Sequence, residues 1–142
     1  MRALIFMILV QFTSYAFGHG ESKPGPNGGH IRMPGQFHLE LVPGDDTSFK
    51  MYLLDIDWKN PTVTNSKLEV VVKSGKKQGV VGCKAGEVSF ECTLPKGFSL
   101  KSGRLMVKSS REGVNGAQME YHLPLKFADE GSNSEHSGHS AH

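Results

Sequence analysis

Between Gly29 and Ala128 the apolar residues of this chain recur with a period of two, and nothing else in the sequence constrains the fold as tightly. Phe37, Leu39 and Leu41 alternate with Gln36, His38 and Glu40. Leu68, Val70 and Val72 alternate with Lys67, Glu69 and Lys73, with Val71 the exception. Leu105 and Val107 alternate with Arg104, Met106 and Lys108, and Met119, Tyr121, Leu123 and Leu125 with Gln118, Glu120, His122 and Lys126. A strand sends successive side chains to opposite faces, so each run has one core face and one solvent face. The stretch FKMYLLDIDW, residues 49–58, is apolar on both faces, as a central strand is. No segment sustains the i, i+3, i+4, i+7 stripe of a helix over three turns.

Turn residues punctuate the runs: Pro43-Gly44-Asp45-Asp46, Lys59-Asn60-Pro61, Ser74-Gly75, Ala85-Gly86, Pro95-Lys96-Gly97, Lys101-Ser102-Gly103, and Gly113 to Gly116. About seven short strands in residues 30–128 predict an antiparallel β-sandwich of immunoglobulin-like type, with a small closed barrel as the runner-up. Trp58, at the end of the central run, suits either a core plug or a rim position.

The ends have a different composition. Residues 1–18, MRALIFMILVQFTSYAFG, combine Arg2, an apolar stretch from Ala3 to Val10 and small residues after it. This is a signal-peptide pattern, too short for a membrane span of about 20 apolar residues. Cleavage after Gly18 starts the mature chain at His19; cleavage after Ala16 starts it at Phe17. Residues 19–29 form a Gly/Pro-rich lead, expected to be extended or mobile. Residues 129–142, DEGSNSEHSGHSAH, hold no large apolar side chain and are expected to be disordered when free. Residues 19–142 suffice for one domain and are too few for two. The formal charge of +2 loses one unit with Arg2, and neither that balance nor export suits a nucleic-acid partner. Cys83 and Cys92, the only two cysteines, bracket a hairpin-like stretch and point to the same side. A disulfide in an oxidising compartment, the periplasm, is expected, and so short a loop makes it worth about 2–3 kcal/mol. A pair of buried thiols is the alternative.

Six of the seven histidines concentrate at the two ends of the exported chain, which metal binding explains and packing does not. A His19 made N-terminal by cleavage offers its α-amine and imidazole together, a pair suited to copper, with His30 or His38 as the third nitrogen. His38 and Glu40, two apart on a strand, share a face. His122 joins them if the first and last strands are neighbours, although an exposed polar face explains it equally. Imidazole with carboxylate suits zinc, copper or nickel. Met33, three residues from His30, is a soft thioether donor; Met51 and Met119 fall on apolar faces as core filler. His136, His139 and His142 lie in a Ser/Gly tract that binds such ions loosely. Asp45, Asp46, Asp55 and Asp57 lack calcium-loop spacing. No nucleophile elbow, zinc-protease helix motif or phosphate-binding loop occurs, so no catalytic residue is assigned.

The segment GPNGGHIRMPGQFHLELVPG resembles one found in bacterial periplasmic heavy-metal proteins, including N-terminal extensions of metal-efflux adaptor subunits. There a G-P-(H/N)-G-G stretch precedes a strand reading (F/Y)-H-x-E-L-V. The resemblance covers Gly25 to Val42 and implies metal positions at His30, His38 and Glu40, with Asn27 where some relatives carry histidine. The adaptor's long helical hairpin has no counterpart in these residues, so a stand-alone module is expected. A second, weaker likeness, resting on fold class and His19, is to small periplasmic copper carriers. The expected function is a non-catalytic periplasmic protein that buffers or delivers copper, zinc or nickel, alone or alongside an efflux adaptor or other envelope protein. The alternative is a structural or interaction module of the envelope in which the histidines are incidental. A copper-brace oxidase fits poorly, because the chain shows no aromatic strip for a polymer.

Overall fold

The computed structural model describes residues 23–127, and in them the alternating runs become nine strands with no helix. They are β1 (His30–Arg32), β2 (His38–Pro43), β3 (Ser48–Leu54), β4 (Lys67–Ser74), β5 (Lys77–Ala85), β6 (Phe90–Thr93), β7 (Gly103–Arg111), β8 (Val114–Asn115) and β9 (Met119–Leu123). Every pairing is antiparallel. The order across the sheet is β1-β2-β3-β6-β5-β4-β7-β8, and β9 pairs with β7.

All-β and antiparallel therefore holds, but the strand number and the pairing differ from the expected seven-stranded sandwich. The reason lies in β5. Its first half, up to Val81, pairs with β4, while Gly82 to Ala85 pair with β6. One strand thus carries the hydrogen bonding around the corner, and the sheet curls into a nearly closed barrel instead of splitting in two. Gly79 and Gly82 lie at this bend. A Cβ on Gly79 would come within 2.8 Å of Pro95 Cγ, so the curve needs glycine there.

The alternation decides which side chains fill the barrel. Leu39, Leu41, Phe49, Met51, Leu53, Val70, Val72, Leu105, Val107 and Tyr121 are all buried in one cluster. Met119 packs against it, as its apolar face required. Val88 is exposed, because β6 begins only at Phe90 and Gly86–Ser89 form the turn, closed by the Gly86 amide on the Ser89 carbonyl at 2.8 Å. The central strand ends at Leu54, so Asp55 and Asp57 do not share its face. Cys83 and Cys92 are directly opposite on β5 and β6 and are joined as the disulfide, consistent with an oxidising compartment.

β1 and β9 meet at the seam without a ladder. The Tyr121 hydroxyl donates to the His30 carbonyl at 3.2 Å, Arg32 Nε donates to the Glu120 carbonyl at 3.1 Å, and the Ala117 amide donates to the Pro34 carbonyl at 2.8 Å. The Arg32 guanidinium also lies 4.5 Å over the Tyr121 ring, an attraction between cation and π face.

The hairpin linked by Cys83–Cys92 joins the two halves of the curl. Reducing the bond, or the double change C83A/C92A, is expected to lower stability by about 2–3 kcal/mol. Urea unfolding with and without reductant measures the difference, and the double variant should show none.

Candidate functional site

The paired histidine and carboxylate of the β2 pattern sit on the outer face of the β1–β2–β3 ribbon. Leu39 and Leu41 point into the barrel, so His38 and Glu40 point out of it. In the register, Glu40 faces Ile31 on one side and Tyr52 on the other, and His38 faces Leu54. Outward does not mean solvated: Glu40 is 0% exposed and His38 is 5% exposed.

Residues 25–29 cover Glu40. The Asn27 and Gly29 amides donate to its Oε1 at 2.7 and 2.9 Å, and Asn27 Nδ2 donates to Oε2 at 2.8 Å. The loop is closed on itself by the Gly25 amide on the Gly29 carbonyl and the Gly28 amide on the Gly25 carbonyl, each at 2.9 Å. Its glycines are a matter of clearance. A Cβ on Gly25 would lie 2.5 Å from the Glu40 carboxyl carbon, and one on Gly29 would lie 2.5 Å from the Leu41 carbonyl oxygen. These residues were expected to be extended or mobile; they form a turn because a buried carboxylate supplies acceptors for their amides. Such charge-assisted bonds are what make a buried ionised group tolerable. They also occupy Glu40, which explains the residue without a metal.

His38 is held from both sides. Nδ1 lies 3.1 Å from the Asp55 carbonyl oxygen, and the Trp58 indole N–H donates to Nε2 at 3.1 Å. An imidazole that accepts at Nε2 and faces a carbonyl at Nδ1 carries its proton on Nδ1. Both partners come from the turn after β3. There the Asp55 carboxylate accepts from the Asp57 and Lys59 amides at 3.0 and 2.9 Å and from Asn60 Nδ2 at 2.7 Å. Those bonds, led by Lys59 and Asn60, hold the Asp55 carboxyl below its ordinary value. The Asp55 carbonyl also accepts from the Trp58 amide at 3.1 Å. Trp58 ends the turn at φ 62, is half-buried, and is neither core plug nor free rim residue. Arg111 braces this hairpin from β7, donating to the Leu53 and Asn60 carbonyls at 3.2 and 2.6 Å.

The other candidates are dispersed. His30 pairs with Leu41 and so faces the opposite side of the ribbon from His38. It is buried and stacked on Phe127, with ring centroids 4.1 Å apart. Burial first, and then the Arg32 charge, depress its pKa below the ordinary imidazole value, against a backbone hydrogen bond with Lys126. Met33 is half exposed just beyond β1. His122 is exposed on β9, with Nε2 3.6 Å from Glu120. β9 does flank β1, but β2 lies on the far side of β1 and Glu40 is turned into its loop, so His122, His38 and Glu40 are not brought together. Asp45 is a turn organiser, accepting from the Thr47 amide and the Ser48 hydroxyl at 2.9 Å. Among the described residues no three His, Cys, Asp or Glu side chains are grouped to hold a metal ion. His19, His136, His139, His142 and the signal segment lie outside the described residues. Asn27 and Trp58 were not singled out as partners of Glu40 and His38; the one available signal was Asn27 in a glycine turn next to a motif carboxylate.

Comparison with protein-family models, with curated proteins and with solved structures finds no match.

Two outcomes test this geometry. Glu40→Ala leaves buried amides without acceptors and is expected to cost about 2–4 kcal/mol in urea unfolding, with Glu40→Gln costing less. For His30 the folded state favours the neutral ring, so the unfolded chain binds the proton more readily. Stability is therefore complete above the ordinary imidazole value and falls as pH drops from about 7 towards the depressed folded value. Denaturation midpoints between pH 7 and 5 should follow this trend, and His30→Gln should flatten it.

Proposed function

We propose that this is a small exported protein that binds copper, or zinc or nickel, in the periplasm and buffers or hands on the ion by ligand exchange. The observation that carries the reading is His38. Its Nδ1–H is directed at a backbone carbonyl, the arrangement that orients a metal-ligating imidazole and leaves Nε2 as the donor. The signal-like N-terminus, the disulfide and the resemblance of Gly25–Val42 to heavy-metal proteins of the periplasm support the same reading. Glu40 is spent on its loop, so the remaining donors come from elsewhere, His19 first if cleavage makes it N-terminal, and Met33 for monovalent copper. The tail trio is a separate, weaker site. A partner in an efflux system would receive the ion.

The second reading, a structural or interaction module of the envelope, has its own support. Asn27, Gly29, His38 and Glu40 all find partners within the chain, so folding alone accounts for the G-P-N-G-G and F-H-L-E pattern.

Native mass spectrometry of the exported protein fixes the cleavage site and counts bound ions, and calorimetry at neutral pH gives the affinity. One tightly bound copper or zinc, weakened tenfold or more by His38→Gln but not by changing His136, His139 and His142 to alanine, is the expected result. Absence of tight binding, or binding lost only with the tail changes, favours the interaction module.

A further inference from the structure

The outer face of β5, β4, β7 and β9 carries apolar surface and charge that the fold does not use. Val70, Val72, Leu105, Val107 and Tyr121 fill the barrel, so the residues alternating with them point out of it. In the register Val80, Val71 and Met106 stand side by side across β5, β4 and β7. Val71 is the residue that breaks the alternation of β4, and the row it makes lies on the solvent side. Val80, 77% exposed, ends the row on a stretch of β5 that pairs with β4 alone, because β6 joins β5 only from Gly82 onward.

Val71 and Met106 are half-buried and line a hollow of about 220 Å³, together with Lys73, Lys108 and Glu69. A second hollow of about 310 Å³, reaching Lys67, Ser110 and Asn115, shares Glu69, Lys108 and Gln118 with the first. The two form one trough along β4 and β7. From Lys73 to Lys67 it runs roughly 20 Å, the reach of about six residues of extended chain.

The charge around it is one-sided. Lys67, Lys73 and Lys108 line the trough, and Lys76 and Lys77 stand at the β4–β5 turn beside it. None of these five forms an ion pair among the described residues. Against them stands Glu69, opposite Lys108, while Glu120 on β9 is already 3.4 Å from Arg104. Five lysines against one such carboxylate exceed the formal charge of +2 of the whole chain, so the rest of the protein is acidic on balance. A surface of this kind is complementary to an anionic partner. Val71 and Met106 are recessed among longer polar side chains, which suits an inserted side chain and not a bilayer, where apolar groups must project. A second copy laid face to face would bring the lysines together.

We propose that this trough docks an extended acidic segment of a partner protein, with one apolar side chain over Val71 and Met106 and flanking carboxylates on Lys67, Lys73 and Lys108. The site stands apart from the metal reading and gives the interaction reading a surface and a class of partner. Exposed ion pairs are individually weak, so binding needs several at once and falls with salt.

The probe is the acetylated peptide Gly-Asp-Glu-Leu-Glu-Asp-Gly, added to the exported protein in about 20 mM salt and followed by nitrogen–proton correlation spectra. Shifts are expected at Val71, Lys73, Met106 and Lys108. Serine in place of the peptide's leucine should weaken binding about fivefold, as the loss of a partly buried apolar side chain does. Lys73→Glu with Lys108→Glu should weaken it about tenfold or more, while the equal charge change Lys50→Glu with Lys96→Glu, at exposed lysines elsewhere, leaves it within about twofold. If charge reversal disturbs the spectrum of the free protein, Lys73→Gln with Lys108→Gln replaces it. No shifts at about 1 mM peptide, or equal affinity for the serine peptide or for the two charge variants, overturns the proposal. So do shifts of the same amides with phosphatidylglycerol–phosphatidylcholine vesicles and not with peptide, which assign the face to a lipid surface. Shifts that grow with protein concentration alone assign it to a second copy and overturn it equally.

Discussion

A single buried carboxylate organises the front of this barrel. Glu40 lies in the middle of a strand with no exposure, and an ionised group cannot stay there without donors. The nearest available donors are the amides of the preceding Gly/Pro-rich segment. Their capture draws residues 25–29 across β1 and β2 and delivers the chain into β1 at His30. From there the His30 carbonyl accepts from Tyr121 and the Arg32 side chain reaches β9, so the closure of the barrel continues from the same anchor. An apolar residue at position 40 would leave the loop without an acceptor to fold back on. β1, only three residues long, would then have less to hold it.

A second carboxylate plays the corresponding part after β3. The Asp55 side chain gathers the amides of its own turn, and its carbonyl carries both the Trp58 amide and His38 Nδ1. One residue thus fixes the turn, the orientation of the imidazole and the location of the tryptophan that covers it. The two carboxylates divide the work. Glu40 closes the surface above β2 with two backbone amides and the Asn27 side-chain amide. Asp55 closes it through its turn, whose Trp58 indole donates to His38 Nε2.

The alternation in the sequence was enough to identify an all-β antiparallel domain and nearly all of its core. Period two reports the local strand directly, and Leu39, Met51, Val72, Leu105 and Tyr121 all face inward as their spacing required. The path of β5 was not legible. Whether a nine-residue strand stays in one sheet or turns between two is settled by pairings far apart in the chain, and the only local trace is glycine at positions 79 and 82. The site was half legible for a similar reason. That His38 and Glu40 share a face follows from spacing, but their partners Trp58 and Asn27 are 20 and 13 residues away. Reading acids 55 and 57 as strand residues also hid the turn that supplies one of those partners.

The histidines, which look like one population in the sequence, are different chemical objects. His30 is stacked against Phe127 beside a cation, and its environment favours the neutral ring as a packing element. His122 is exposed and has Glu120 and Arg104 for company, an arrangement that needs no ion. Among the described histidines, His38 alone combines burial, a tautomer set by a backbone carbonyl and a second nitrogen that accepts from an indole. Affinity for a metal requires convergence of several donors, and one preset imidazole does not supply it. What the barrel can supply is orientation, because His38 sits on a rigid strand and its ring is fixed before any ion arrives. On the metal-binding reading, the conformational cost of binding falls on whichever donors join it from outside the strand.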